Sequence, residues 1–196
     1  MPMFWTTLAS TLLLGSGAAA DSGALACKTM MTDHLPLNTR QSPLDSLQFT
    51  VGTTHVKLCY GRPSTRGRVM LGGNSVPYGK LWRTGANEPT MIHTDGPLVL
   101  ASLPLPPGSY SIYSVPDTKT WQVIVNRSIT QWGHEASYTE AVKAQELGRV
   151  LVESAPLDPP LETLTFVTEP GSTGNTVNLV LEWESTRVPI PIQPGS

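Results

Sequence analysis

From Leu47 to Ile192 the chain is written in short runs whose apolar residues recur at every second position. The clearest run is "TVNLVLEWE". Val177, Leu179, Leu181 and Trp183 fall on one side of it, Asn178 and Glu182 on the other. A period of two suits an extended chain with one buried face and does not suit a helix. "TWQVIVN" repeats the pattern, with Trp121, Val123 and Val125 set against Gln122, Ile124 and Asn126. "LQFTV" and "HVKLCY" carry it on either side of Gly52-Thr53-Thr54, a hairpin spacing. "TMIHT", "LVLASL", "SYSIYSV", "RVLVES" and "LETLTFVTE" continue it, and Pro-Pro-Gly in "PLPPGSY" marks a tight turn. About eight to ten short strands with turn signals between them predict an all-β fold. The expected form is an antiparallel β-sandwich of jelly-roll type.

Two segments depart from this. "SYTEAVKAQELG" opens with a capping box, Ser137 to Glu140, and stops at Gly148, which predicts one short helix. "RVPIPI" alternates Val188, Ile190 and Ile192 with prolines. Proline has no N–H for a ladder, so an edge strand or a surface strap is expected there.

At 196 residues, one domain is expected. Residues 1–20 read as an export signal: Phe4 to Leu14 is mostly apolar, and Ala18-Ala19-Ala20 precedes Asp21. Residues 21–46 read as a loosely held lead-in and residues 47–192 as the sandwich. The protein is therefore expected to be secreted or periplasmic. No later apolar run is long enough for a transmembrane span. A net charge of −2 excludes a nucleic-acid partner held by charge.

Two cysteines, Cys27 and Cys59, permit a single disulfide in an exported chain. Ala24-Leu25-Ala26-Cys27 also resembles a lipoprotein cleavage box, so a lipid anchor at Cys27 and two free thiols stand as alternatives. With no Cys-x-x-Cys pair, thiolate redox or metal chemistry has no support.

The run from Cys59 to Asp95 resembles the bacterial family called domain of unknown function 2911. The matching features begin with Tyr60-Gly61-Arg62-Pro63-Ser64, Arg66-Gly67-Arg68 and Gly72-Gly73. Val76-Pro77-Tyr78-Gly79 and Trp82-Arg83-Thr84-Gly85-Ala86-Asn87-Glu88 follow. "LPPGSYSIYSVP", the Trp121 to Asn126 strand, Gln131-Trp132-Gly133 and "LEWESTRVPIPI" continue in order, so the resemblance runs from about Leu47 to Ile192. It implies a secreted or periplasmic all-β domain and no particular activity.

The same region concentrates the chemistry. Arg62, Arg66, Arg68 and Arg83 offer planar forks suited to carboxylate, phosphate or sulfate. Asn87 and Glu88 add an amide and a carboxylate, and Trp82 a flat apolar wall, a combination suited to sugars. The expected ligand site is Arg62, Arg66, Trp82, Arg83, Asn87 and Glu88, for a small anion or an acidic or hydroxyl-rich saccharide. A second reading is a cofactor-free hydrolase or lyase. Glu88 would be its base, because a neighbouring Arg disfavours proton donation, and Arg83 would stabilise developing charge. In a third reading the cluster is a polar network that only fixes the fold. The four histidines, His34, His55, His93 and His134, show no ligand spacing, so no metal and no cofactor are expected.

Overall fold

The computed structural model describes Met1 and residues 26–196. The expected export signal, apart from Met1, and the first residues of the lead-in lie outside the described residues.

Alternation becomes strand wherever it was read. The strands are β1 (Leu44–Val51), β2 (Thr54–Gly61), β3 (Thr90–Thr94), β4 (Leu98–Leu100) and β5 (Leu103–Leu105). They continue with β6 (Gly108–Val115), β7 (Thr120–Asn126), β8 (Glu146–Glu153), β9 (Ala155–Pro170) and β10 (Val177–Pro194). Every pairing between strands is antiparallel. Six strands form one sheet in the order β1-β2-β3-β6-β7-β8, and four form a second in the order β5-β4-β10-β9. The two sheets pack as a sandwich. Val51 pairs with Thr54, so the first hairpin turns on Gly52-Thr53, with Gly52 at φ 62°.

The core lies between the sheets. Val56, Leu58, Ile92, Ile112, Trp121, Val123 and Val125 come from the larger sheet, and Leu164, Phe166, Leu179, Leu181 and Trp183 from the smaller. The long connection 62–89, from β2 to β3, adds a third contributor. Its Trp82 is 4% exposed. The Trp82 indole stacks on Trp183 at 5.9 Å and 17° and meets Trp121 edge-on at 6.1 Å and 73°. The Trp82 backbone exchanges two 2.8 Å hydrogen bonds with Ser114, so the connection forms a short bridge to β6.

The smaller sheet holds the same connection by two carboxylates. Glu184 accepts from Met70 N–H at 3.0 Å and from Leu71 N–H at 2.7 Å. Glu162 accepts from the Thr65 hydroxyl and from Arg66 N–H, and these hydrogen bonds pull its pKa below the usual carboxylate value.

"RVPIPI" is not a separate element. It continues β10, which lies inside its sheet. The prolines are tolerated because β10 changes partner there. Its pairs with β9 end at Arg187, and its pairs with β4 begin at Ile192. The expected helix is one turn, α1 (Glu140–Lys143). Its N-cap is Thr139, whose hydroxyl accepts from Val142 N–H, in place of the expected Ser137.

The outer face of the larger sheet is also closed over. Met91, Ser111, Tyr113, Ile124 and Asn126 face away from the core, yet none is more than 1% exposed. The segment 127–145 covers one part. Gln131 donates to Tyr113 Oη and Ser111 Oγ, and Asn126 donates to the Val142 carbonyl. The lead-in is tied to the other part by a disulfide from Cys27 to Cys59 on β2. The lead-in is thus pinned, not loosely held, and the Cys27 sulfur is not free for lipidation. The disulfide spans 32 positions, which in the loop-entropy model contributes about 3–4 kcal/mol. Paired Cys27→Ser and Cys59→Ser variants should lose stability of that order in urea unfolding. A loss below about 1 kcal/mol would mean that the lead-in is held by its polar contacts alone.

Candidate functional site

The polar string Trp82 to Glu88 bends sharply, and its backbone shows why. Thr84 and Asn87 both sit at positive φ, 56° and 64°, and Gly61 leaves no room beside the Ala86 carbonyl, only 2.1 Å from where a Cβ would lie. Thr90 Oγ1 donates to the Thr84 carbonyl across the bend at 2.7 Å. This turn points neighbouring side chains in different directions.

Glu88 turns towards the lead-in. One of its oxygens accepts from Met30 N–H at 2.6 Å and from Arg40 Nη2 at 3.0 Å. The other accepts from Arg40 Nη1 at 2.6 Å. Both side chains are buried, Arg40 at 0% and Glu88 at 5% exposure. Arg40 gives its remaining donors to the Leu35 and Met30 carbonyls. Asn87 donates to the Ser42 carbonyl at 2.8 Å. The carboxylate and amide therefore latch the lead-in to the turn. Arg40, 48 positions away in sequence, did not stand out from the polar lead-in around it.

The arginines separate. Arg62 lies along β9, donating to Leu164 O and Thr165 Oγ1 and pairing with Asp45 at 3.2 Å. Arg66, at φ 51°, is exposed and donates twice to Gln41. Neither reaches Arg83. Arg68 does share a space with it. A cleft of about 190 Å³ is lined by Arg68, Trp82 and Arg83, with Ser42, Ser75 and Trp183.

Arg83 lines the cleft at its base, but its guanidinium is held loosely against the segment 127–145. Its Nη1 lies 3.4 Å from the Gly133 carbonyl and 3.6 Å from Glu135, and its Nε is buried with no hydrogen-bond partner among the described residues. Gly133 is required where it stands, since a Cβ there would lie 2.2 Å from the Asn87 carbonyl and 2.5 Å from Arg83 Cδ. Arg68 donates only to the carbonyls of Thr65 and Ser64 and has no carboxylate partner among the described residues. Trp82 lines this cleft and also belongs to the core stack.

His93 stands apart on β3. Its Nδ1 lies 2.7 Å from Ser109 Oγ, and its Nε2 is buried without a hydrogen-bond partner among the described residues. Burial lowers its pKa, and the charge of Lys57 lowers it further. Among the described residues no group of three or more His, Cys, Asp or Glu side chains is placed to hold a metal ion. No helix of the described residues is long and apolar enough to cross a membrane.

These features define an antiparallel sandwich whose β2–β3 connection plugs one flank and carries a small, arginine-lined cleft. A family model described as "Protein of unknown function (DUF2911)" matches residues 42–192, and the chain belongs to that family. No curated protein and no solved structure matches the chain.

Two outcomes follow from this geometry. Arg40→Ala leaves Glu88 as an unpaired buried charge and should cost about 3–5 kcal/mol in denaturant unfolding. The double change Arg40→Met with Glu88→Leu should cost clearly less, which separates the penalty of an orphaned charge from the worth of the pair. For His93 the sign follows from its lowered pKa. Unfolded, it takes a proton near its ordinary value of 6.5, whereas folded it resists protonation. Its contribution is therefore complete above that value and declines as the pH falls below it, until the folded pKa is reached. His93→Gln should flatten the fall of unfolding free energy over this acidic window. An unchanged slope would mean that another group sets it.

Proposed function

We propose that the cleft between Arg68, Arg83 and Trp82 binds a small anion, with carboxylated, hydroxyl-rich saccharides as the preferred class. The observation that carries this reading is the state of Arg83. Its side chain is three-quarters buried, its Nε has no partner among the described residues, and its contacts are long. Buried donors without good partners are costly, and an anion at the exposed part of the Arg83 side chain would give its guanidinium nearer acceptors than Gly133 and Glu135 provide. Arg68 adds a second guanidinium, with no carboxylate in ion-pair contact among the described residues, though the Glu162 charge lies within its field. Ser42 and Ser75 offer hydroxyls, and the indole an apolar contact. The volume, about 190 Å³, is below that of a typical drug-sized pocket, which favours a ligand of one ring or less.

Within the original cluster, Asn87 and Glu88 serve the fold, and Arg83 serves the ligand. Arg62 and Arg66 stand outside the cleft and contribute at most to its field. A catalytic role for Glu88 has weaker support. Both of its oxygens are occupied by the lead-in, and it does not line the cleft, whereas a general base must reach the proton it removes. We place the domain outside the cytoplasm. The signal-like N-terminus supports this, as does a disulfide of the kind that persists in oxidising compartments.

The test is a thermal-shift and calorimetric screen of acetate, citrate, phosphate, sulfate, glucuronate and galacturonate, with glucose as the neutral control. At least one anion should raise the melting temperature while glucose does not. Arg83→Gln and Arg68→Gln should each weaken its binding about tenfold or more without lowering the melting temperature of the free protein. Silence across the whole panel, or binding that both variants retain, would remove the cleft as the site.

A further inference from the structure

We infer that the free edge of the larger sheet, strand β8, is a self-pairing surface that joins two copies of this chain about a two-fold axis through Leu151. The sandwich has four edge strands, and they are protected unequally. β9 carries Pro156, Pro159, Pro160 and Pro170, and β5 is three residues long with Pro104 at its centre. Prolines and short length are ordinary ways to stop edge-to-edge pairing. β1 has no proline but exposes only the polar Ser46, Gln48 and Thr50. β8 has neither safeguard. It is eight residues long without proline, and its Leu151 side chain stands 69% exposed. Its ladder runs to β7 alone, and no described strand pairs with its other side.

The open part of the edge is its C-terminal half. Leu103 of β5 packs against Gly148, so the first half is covered from the smaller sheet. Beyond it a recess of about 370 Å³ runs beside Leu151, Val152 and Glu153, walled by Ala101, Pro189 and Pro191.

A second copy of the chain is favoured as occupant by its sequence in this stretch, Arg149-Val150-Leu151-Val152-Glu153. Arg149, Leu151 and Glu153 are exposed on the outer face, while Val150 and Val152 are buried on the core face. An antiparallel pair centred on Leu151 sets Leu151 against Leu151 of the second copy. Arg149 then stands opposite Glu153, twice by symmetry, and Val150 opposite Val152 on the core side. Opposite charges and apolar residues placed directly across a ladder are the pairs that stabilise one. Moving the centre to Arg149 sets like charges against each other. Moving it to Val150 or Val152 puts Leu151 across from a charged residue. Glu153 has no ion-pair partner among the described residues, and Arg149, held by Glu146 at 2.7 Å and donating to Gln122 at 2.8 Å, would share its charge with the second copy's Glu153. The surface is isologous, as a two-fold dimer requires. Its shortness makes the dimer reversible.

Sedimentation velocity across a concentration series tests this directly. The wild-type chain should pass from monomer to dimer as concentration rises. Leu151→Lys, which sets two cations on the axis, should remain monomeric with an unchanged unfolding transition. Glu153→Arg should weaken dimerisation at least tenfold, and Arg149→Glu with Glu153→Arg should restore it. A wild-type chain that stays monomeric at its highest soluble concentration overturns the proposal. So does a dimer indifferent to Leu151→Lys and Glu153→Arg, or a monomer whose β8 edge instead captures unrelated extended peptides. None of these readouts depends on an anion, so the dimer and the cleft stand or fall separately.

Discussion

A carboxylate taken out of water must be given donors, and Glu88 obtains all of its own from one place. Met30 N–H and two nitrogens of Arg40 meet its oxygens, and every one of them belongs to the lead-in. Much of the local order follows from this constraint. The lead-in must lie against the turn that carries Glu88. It then brings Ser42 to Asn87 and the Pro43 carbonyl to Arg62 N–H, where β1 begins. The turn, held at Thr84 and Asn87 in left-handed conformations, sends Arg83 the other way, toward Gly133 and Glu135. The buried pair and the candidate ligand group are thus two outputs of one bend. The pair fixes the bend, and the bend aims the arginine.

The long β2–β3 connection links the two sheets by both apolar and polar contacts. Trp82 enters the core from it and contacts a tryptophan of each sheet. Glu162 and Glu184 hold its backbone from the smaller sheet. A connection pinned at so many points makes a preformed cleft, so a ligand need not pay for ordering it. The density of polar residues in this stretch, which invites a functional reading, is largely explained by the donors and acceptors that such a crossing must satisfy.

The strands were legible because alternation is local and each strand reports its own buried face. Trp121 and Trp183 could be placed in the core on that ground alone. Trp82 could not, because it sits among polar neighbours in a connection whose course depends on both sheets. The single strand β10 was hidden by its prolines. Nothing local reveals that they coincide with a change of partner from β9 to β4. The helix cap was misplaced by two residues because Ser137 and Thr139 offer the same hydroxyl chemistry. At the site, the closeness of the arginines in sequence was a poor guide. In an extended chain successive side chains diverge, and Arg62 and Arg66 found partners on β9 and on the lead-in. Glu88 stands out in the sequence as a candidate ligand group or base, but its partner Arg40 lies far back in the chain, where no pattern marks it.

The bond between Cys27 and Cys59 also sets an order of events. While both thiols remain reduced, the lead-in is held to the sheet by polar contacts alone, chief among them one buried ion pair. The outer face of the larger sheet then has a cover that opens more readily beside Met91, the cross-strand neighbour of Cys59. Oxidation closes that cover. Taking two electrons from the thiol pair therefore turns a reversible fastening into a covalent one.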